Sequence, residues 1–216
     1  MNRETIPSEA IIDAMNWRYA GKIFDTTKKI SNEQLNTILE AGRLSPSAYG
    51  VESWQFIVVN NKDLREKMKE ASYGQPKVTD ASHIIVIAAR TDGHTVVDEL
   101  ISRTAKTQGK TVEDLKGFSD MVHGFVDTIG TEAAKNWYKA QSYLPLGIMV
   151  EAAALLGIDS GPMEGFDAAK VDELLGLKEK NLQAVTMLAL GFRGDDDYAK
   201  LPKTRKSFEE VVTILE

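Results

Sequence analysis

Three short segments, far apart in the chain, combine charged residues with glycine or proline where loops are predicted. They are residues 18–22 (RYAGK), residues 161–167 (GPMEGFD) and residues 201–206 (LPKTRK). Loops of this composition allow backbone N–H groups and cationic side chains to approach an anionic ligand closely. Together the three segments predict a surface that binds an anionic small molecule.

The last of these segments has a spacing suited to one phosphate group. Lys203 and Arg205 lie two residues apart, so their side chains fall on the same side of an extended stretch. A phosphomonoester carries about −1.5 to −2 charges near neutral pH and accepts a bidentate guanidinium contact. On this segment alone, a solvated basic cluster in an acidic protein remains an alternative.

The other two segments have plainer interpretations of their own. Arg18 and Lys22 flank a small, flexible backbone, but taken alone they are more typical of two solvated cations after a helix. In the middle segment, two glycines surround an acidic residue, and a simple turn with Asp167 as the N-cap of the next helix explains the same residues. Only the combination of segments favours a binding site.

Several other kinds of chemistry lack their sequence motifs. The chain contains no GxGxxG, GxxxxGK[ST], GxSxG or HExxH pattern. It has no cysteine, and its histidines, His83, His94 and His123, show no metal-ligand spacing. Nucleophilic hydrolysis, thiolate chemistry and metal-dependent catalysis are therefore not expected, and no metal site is predicted.

Composition favours one ordinary folded domain over residues 1–216. Hydrophobic residues make up 43% of the chain and charged residues 27%, enough apolar content for a sizeable core. The net charge is −6 and no long basic run occurs, which argues against nucleic acid as a partner. The N-terminal stretch resembles neither a signal peptide nor an anchor, and no apolar run could span a membrane, so we expect a cytoplasmic protein.

The elements that must position these segments indicate an α+β fold. Ser31 to Gln34 forms a predicted capping box, and Ser8 and Asp167 are candidate N-caps. Residues 95–156 have helical patterning, and residues 158–166 are predicted to be a loop. The predicted strands are residues 54–59, 83–89 and 182–190. The apolar tail, residues 211–215, is expected to pack against something, such as a second subunit.

Five stretches in order give the chain a family resemblance. They are RYAGKIFD at 18–25, LSPSAYGVESWQFIVV at 44–59, KVTDASHIIVIAA at 77–89, NWYKAQSYLPLGIMVEAAALLGIDSGPMEGFD at 136–167 and LPKTR at 201–205. With these stretches the chain resembles the oxygen-insensitive NAD(P)H nitroreductases and flavin reductases that bind FMN. The resemblance implies a central mixed β-sheet flanked by helices, a homodimer with FMN sites at the subunit interface, and a C-terminal segment packed on the partner subunit.

The resemblance also assigns roles to individual residues. It implies that Arg18, Lys203 and Arg205 hold the FMN phosphate, and that Lys22 and Lys77 lie against the pyrimidine edge, where they favour the reduced flavin. Backbone amides of the loop after the long helix would face the flavin N5, and the Ser-Pro-Ser segment would reach the partner's flavin. The remaining implied cofactor-binding residues are Tyr19, Ala20, Pro46, Ser47, Ala48, Gly74, Pro162, Glu164 and Gly165. Tyr49 and Phe118, with Glu52, map near the substrate channel.

The implied reaction is a ping-pong transfer of hydride from NAD(P)H through FMN to nitroaromatics, quinones or free flavins, with no obligatory side-chain acid. Ala20, Ala48 and the Gly74–Gln75 position depart from polar residues common in the family, which places three flavin contacts in doubt. Two alternatives stay open: a flavin-dependent dehydrogenase or dehalogenase on the same scaffold, and a non-catalytic FMN-binding dimer.

Overall fold

A four-stranded sheet runs through the centre of the protein, which a computed structural model describes over residues 5–216. Residues 1–4, where the N-terminal stretch considered above begins, lie outside the described part. The strands are β1 (Trp54–Val59), β2 (His83–Arg90), β3 (Asp159–Met163) and β4 (Leu182–Gly191). Their spatial order is β1-β2-β4-β3. Thus β2 and β4, the two longest strands, occupy the middle.

Helices of the α type cover the sheet and account for most of the remaining regular structure. Within residues 5–216 they are α1 (Ser8–Trp17), α2 (Asn32–Arg43), α3 (Lys62–Ala71), α4 (Lys77–Asp80), α5 (Gly93–Gln108), α6 (Lys116–Ile129), α7 (Thr131–Gln141), α8 (Tyr143–Leu155), α9 (Ala168–Leu175) and α10 (Phe208–Val211). None of the helices in this part of the chain is both long and apolar enough to cross a membrane. The helical patterning predicted for residues 95–156 is confirmed.

The core follows from the two-residue period of β2. Ile84 and Val86 pack on one face of the sheet with Met68 of α3 and Val171 of α9. On the opposite face, the alternate residues of β2 meet apolar residues of α2 and α8, including Ile38 and Met149. A third apolar cluster, around Val97 of α5 and Tyr138 of α7, lies at the end of the sheet. The continuous apolar run of β2 is therefore explained by burial on both faces.

The predicted α+β class is confirmed, but the sheet of a single chain is not mixed. Each ladder is antiparallel, and within residues 5–216 the only parallel pairing is an isolated bridge between Ala20 and Ser160. The sequence pattern could not settle this point, because alternation of buried and exposed residues is the same whichever way a strand runs.

Local signals at the helix ends are largely confirmed. Ser31 and Gln34 form the predicted capping box at the start of α2, and the Asp167 side chain accepts a hydrogen bond from the Lys170 N–H at the start of α9. The cap of α1 is Pro7, so Ser8 is its first helical residue instead of the predicted cap. These signals act through neighbouring backbone groups, which is why sequence alone reveals most of them.

The predicted loop at residues 158–166 is wrong in its first half. Residues Asp159–Met163 form β3, which pairs with β4 from Asp159↔Gly191 to Met163↔Met187. Glycine and proline disfavour strands in isolation, but here the backbone hydrogen bonds of an edge strand outweigh that preference. The strand brings the middle segment of the predicted site against the sheet.

Candidate functional site

A pocket of about 310 Å³ joins the first and last of the basic segments. It lies where the end of α1 meets the stretch that follows residue 200. The lining residues are Arg18, Tyr19, Ala20, Tyr198, Leu201, Pro202, Lys203 and Arg205. The fold thus brings together cations that are almost a whole chain length apart in sequence. We refer to this cavity as the basic pocket.

Among residues 5–216, no carboxylate forms an ion pair with the cations of the basic pocket, Arg18, Lys203 and Arg205. The pKa of Lys203 is lowered by burial and by the nearby charges of Arg18 and Arg205, with a further contribution from Arg193. An anion that binds among these cations would relieve their mutual repulsion.

Lys203 also fastens the last segment to α1. Its ammonium donates hydrogen bonds to the carbonyl oxygens of Met15, at 2.6 Å, and Asn16. These carbonyls belong to the C-terminal turn of α1, where a cation is favourable. Lys203 therefore uses two of its three donors on the helix, and the predicted contact of Lys203 and Arg205 with one phosphate stays a prediction. Arg205 donates only to the neighbouring Thr204 carbonyl, at 2.8 Å.

Asp196 organises the loop that carries Arg18. Its buried carboxylate accepts hydrogen bonds from the Tyr19 hydroxyl at 3.1 Å and from the backbone N–H groups of Lys22 and Ile23, each at 3.3 Å. Burial alone would raise the pKa of Asp196, but these hydrogen bonds and that from the Tyr198 N–H outweigh it, so its pKa is lowered. Burial, followed by the bond to Asp196, raises the pKa of Tyr19 to about 12.

The backbones of the first and middle segments touch. Gly21 N–H donates to the Ser160 carbonyl at 3.0 Å, beside the Ala20–Ser160 bridge. A Cβ atom added to Gly161 would lie 2.7 Å from the Gly21 carbonyl oxygen and 3.6 Å from Cδ of Lys77. Glycine is required at position 161 by this close approach, and the approach places Lys77 next to both segments.

Lys22 and Lys77 form a second cationic group on this side of the molecule. Lys77 begins α4 and is half-buried, and its pKa is lowered by burial and then by the charge of Lys22. The Lys22 ammonium lies 3.3 Å from the centre of the Tyr198 ring. The two lysines are thus close enough to act on the same ligand.

Beyond β3, polar contacts hold the rest of the middle segment. Gln75 Nε2 donates to the Gly165 carbonyl at 2.7 Å, and the Tyr143 hydroxyl donates to Glu164 Oε1 at 2.9 Å. Burial, and then Glu164, raises the pKa of Tyr143. Pro162 is paired in the sheet with Leu188, whereas Glu164 and Gly165 are exposed.

The two residues of the Gly74–Gln75 position, one of the three flavin contacts placed in doubt above, have separate roles. Gly74 is exposed and has a φ of 74°, which suits glycine. Gln75 supplies a side-chain amide to the segment that holds Gly165. A polar side chain is therefore present here, one residue after Gly74.

The Ser-Pro-Ser segment lies apart from the basic pocket in the single chain. The Ala48 N–H donates to Gln141 Oε1 at 2.8 Å, and the Glu52 N–H donates to Ser47 Oγ at 2.9 Å. Pro46 is exposed. The structure therefore holds Pro46, Ser47 and Ala48 against the end of α7, and no hydrogen bond within residues 5–216 links them to the loop at 18–22.

A second cavity, of about 500 Å³, contains the residues expected near the substrate. Tyr49, Glu52 and Phe118 line it together with Arg103, whose guanidinium lies 3.4 Å from the Glu52 carboxylate. Tyr49 and Glu52 have φ values of 58° and 45°. Non-glycine residues held in this region cost about 1–3 kcal/mol each and are concentrated at functional sites. We call this cavity the aromatic pocket.

Sequence reasoning missed three residues that support the site. Arg193 pairs at 2.7 Å with the buried Asp159, and its guanidinium carbon lies 4.6 Å from the Trp17 ring centre. Asp196 lies in the run Gly194 to Asp197, whose glycine and three aspartates are typical of a solvated turn. The pairing of Asp159 with Gly191 in the sheet is the signal that places Arg193 near Asp159. For Asp196 there is no such signal, because no sequence pattern distinguishes it from its neighbours.

The structure thus defines an α+β protein with a pocket lined by cations, and comparison with known proteins identifies its family. The model of the nitroreductase family matches residues 15–192. A Staphylococcus epidermidis protein with the provisional name NAD(P)H nitroreductase is 40% identical over 218 residues, covering 97% of this chain and 98% of its own. The chain belongs to the nitroreductase family, whose members are oxidoreductase enzymes.

Solved structures agree on the fold. A crystal structure of a provisionally named nitroreductase from Bacillus subtilis has a TM-score of 0.86 at 22% identity and covers 97% of this chain and 100% of its own. A provisionally named nitroreductase from Exiguobacterium sibiricum, solved in complex with FMN, has a TM-score of 0.79 at 21% identity, with 100% of both chains covered. The nitroreductase-like fold expected from the resemblance is confirmed.

Proposed function

We propose that this chain is an FMN-dependent NAD(P)H oxidoreductase that works by ping-pong hydride transfer to nitroaromatics, quinones or free flavins. The observation that carries the proposal is the group of unpaired cations Arg18, Lys203 and Arg205 around one pocket. The pair Lys22 and Lys77 lies on the neighbouring surface. This arrangement suits a ligand with a phosphate at one end and a region of developing negative charge at the other.

The residues of the basic pocket fit a phosphate. The Arg205 guanidinium donates only to an adjacent carbonyl and has further N–H donors for a bidentate contact. Arg18 supplies a second cation, and Lys203 supplies charge and fixes the segment to α1. Binding of an anion would relieve the repulsion that lowers the pKa of Lys203.

The adjoining surface fits a flat ring system. The close contact of Gly21 with Ser160 and Gly161 joins the backbones of the first and middle segments beside Lys77. Bound FMN would supply the hydride-accepting and hydride-donating chemistry. The role of Lys22 and Lys77 is to place positive charge where negative charge increases, which stabilises the reduced state without rearrangement. Gln75 and Tyr143 position the Glu164–Gly165 backbone, whose amides would face the reacting edge.

We further propose that two chains form each site. The aromatic pocket and Pro46–Ala48 lie apart from the basic pocket in one chain. In the proposed homodimer, Pro46, Ser47 and Ala48 of one chain lie over the basic pocket of the other chain. This contact would complete the flavin site of each chain. The strained backbone at Tyr49 and Glu52 supports a binding role for that surface, with Tyr49 and Phe118 contacting the acceptor.

The test is whether the purified protein binds and reduces flavin. We expect a yellow protein with one FMN per chain, whose flavin absorbance is bleached by NADH or NADPH under anaerobic conditions and restored by a nitroaromatic or quinone. A colourless protein that takes up no added FMN would refute the proposal. If the protein is yellow but reduces neither nitroaromatics nor quinones, a dehydrogenase or dehalogenase is favoured. If the flavin stays oxidised with both NADH and NADPH, a non-catalytic FMN-binding dimer is favoured.

A further inference from the structure

Two histidines meet edge to edge between α5 and α6, among residues that take no part in the proposed flavin site. Nδ1 of His94 and Nδ1 of His123 are 2.8 Å apart. The rings are inclined by only 13°, with centroids 5.1 Å apart. The distance between the ring centroids exceeds the distance between the two Nδ1 atoms by about two ring radii. The rings therefore lie in line, with their Nδ1 atoms pointing at each other, and are not stacked face to face.

A carboxylate holds the opposite nitrogen of each ring. His94 Nε2 lies 3.0 Å from Asp127 Oδ1, and His123 Nε2 lies 3.0 Å from Asp98 Oδ1. The contacts cross between the helices, since Asp98 belongs to α5 with His94 and Asp127 belongs to α6 with His123. Each helix therefore carries the same His-x-x-x-Asp spacing, and each aspartate serves the histidine of the other helix.

These contacts favour one placement of the ring protons. An ionised carboxylate can only accept hydrogen bonds, so His123 Nε2, which is hydrogen-bonded to Asp98 Oδ1, carries a hydrogen, and a hydrogen on His94 Nε2 would face Asp127 in the same way. In the neutral form, both Nδ1 atoms then present a lone pair to the same point, which is unfavourable at 2.8 Å unless a cation lies between them. That cation can be a proton, shared as in an imidazole–imidazolium pair, or a metal ion.

We propose that His94 and His123 bind a divalent transition-metal ion of the Zn²⁺ type through their Nδ1 atoms. A histidine that binds metal through one nitrogen and donates its other N–H to a carboxylate is the usual arrangement of histidine ligands. His123 has this contact with Asp98, and Nε2 of His94 lies equally close to the carboxylate of Asp127. Neither Asp98 nor Asp127 pairs with a lysine or arginine within residues 5–216. Two carboxylates, two neutral imidazoles and one divalent ion sum to zero charge.

The geometry requires only a small adjustment. Zn–N distances of about 2.0–2.1 Å at a tetrahedral angle place two nitrogens about 3.3 Å apart, so the rings must separate slightly from 2.8 Å. The His94 side chain is 57% exposed and can move. The described residues contain no group of three or more His, Cys, Asp or Glu side chains arranged to hold a metal, so water would complete the coordination shell. The bound ion would clamp α5 to α6.

The sequence pattern for this site spans two helices. Spacing between the histidines is uninformative because they lie 29 residues apart. The repeated His-x-x-x-Asp pattern is the signal, since residues four apart lie on the same face of a helix. The metal-site expectation drawn from histidine spacing alone did not take this pattern into account.

The proposal is tested by Zn²⁺ titration of tag-free protein that has been dialysed against a chelator. Calorimetry is expected to show one Zn²⁺ per chain for the unchanged protein. His94→Gln and His123→Gln should abolish binding, and Asp98→Asn and Asp127→Asn should weaken it about 10–100-fold, the scale for carboxylates that orient histidine ligands. His83→Gln, which alters the third histidine, is the matched control and should bind as the unchanged protein does.

The readouts separate metal binding from a shared proton and from misfolding. Circular dichroism checks that each variant is folded. Long-range ¹H–¹⁵N spectra of the histidine rings should show Zn²⁺-dependent shifts at Nδ1 while Nε2 stays protonated. Absence of Zn²⁺ binding by the unchanged protein, which would leave a shared proton as the cation, would overturn the proposal. Binding that His94→Gln and His123→Gln leave intact would overturn it equally.

Discussion

The Arg205 guanidinium is exposed and makes a hydrogen bond only to the carbonyl of its own neighbour, Thr204, among the described residues. Arg205→Ala should therefore leave stability unchanged within about 0.5 kcal/mol. FMN affinity should fall by about 1.5–3 kcal/mol, because a charge-assisted contact to the phosphate is lost. Fluorescence titration of FMN measures this change. The control is the neighbouring Lys206→Ala, which removes an equal charge outside the lining of the basic pocket. Equal losses of FMN affinity in the two variants would contradict a specific role for Arg205.

Asp196 gives the loop at 18–22 a dependence on pH. Its pKa is lowered in the folded protein, so its stabilising contribution is present above the unfolded value, about 3.9, and is lost as the pH falls through the folded value. Asp196→Asn should lower the free energy of unfolding by about 1–3 kcal/mol at neutral pH, since an amide nitrogen cannot accept the backbone N–H groups. The difference from the unchanged protein should narrow below about pH 3.9.

Urea denaturation at a series of pH values measures this narrowing. Asp195→Asn is the matched control, because the Asp195 side chain is 93% exposed and pairs only with the exposed Lys200. It should change stability by less than about 0.5 kcal/mol at any pH. A constant effect of Asp196→Asn across the whole range would show that the carboxylate charge is not responsible.

The same aspartate illustrates what sequence cannot predict about a site. Asp195, Asp196 and Asp197 are identical in type, yet only the second is buried. Its role depends on Tyr19 and on N–H groups far away in the chain, and a single sequence contains no sign of that proximity. By contrast, Arg18, Lys203 and Arg205 could be nominated because charge and spacing are visible in the sequence, and the structure places them around one pocket.

At the scale of elements, β3 lies in close contact with the loop at 18–22 at Gly161. Gly161→Ala would place a Cβ atom 2.7 Å from the Gly21 carbonyl oxygen, which is backbone and cannot rotate away. We expect a loss of about 1–3 kcal/mol in the free energy of unfolding, the usual scale for overpacking. Weaker FMN binding should accompany it, because the loop at 18–22 is displaced. Urea denaturation and FMN titration measure the two effects.

Gly147→Ala is the control for this change. Gly147 lies within α8, and an added Cβ would meet nothing within 4 Å, so the variant should gain about 0.5–1 kcal/mol of stability through helix propensity. If Gly161→Ala were as stable as Gly147→Ala, the contact between Gly21 and Gly161 would not constrain the fold.

Elements with strong local signals could be predicted from the sequence, and β3 could not. β1 occupies the predicted residues 54–59 because its aromatic and β-branched content favours a strand. β3 consists of Asp-Ser-Gly-Pro-Met, which favours a turn by every local measure. Its strand conformation comes from pairing with β4, a long-range contact that no local pattern reports.

At the scale of the whole molecule, the C-terminal tail exposes an unusual amount of apolar surface. Ile214 is 75% exposed and Leu215 is 90% exposed, with Phe208 at 65%. We expect the double change Ile214→Asp and Leu215→Asp to convert a dimer to a monomer, because burying two carboxylates at an interface is unfavourable. Light scattering coupled to size-exclusion chromatography measures the mass.

The exposed Glu209→Gln on α10 serves as the control and should remain dimeric. A double variant that keeps the dimer mass would exclude the tail from the subunit interface. If the unchanged protein were itself a monomer across the concentrations tested, the two-chain site would have to be abandoned.

The hydrogen bonds that assemble the basic pocket also determine when it can form. Tyr19 and Asp196 are 177 residues apart, and Lys203 reaches back 188 residues to Met15. Contacts of such separation incur the loop-closure entropy of nearly the whole chain and are favoured only after the intervening sheet and helices have folded. During synthesis, the first basic loop leaves the ribosome early but has no partner until the last residues follow. An incomplete chain therefore cannot form the basic pocket, and any ligand of that pocket would bind only at the final stage of folding.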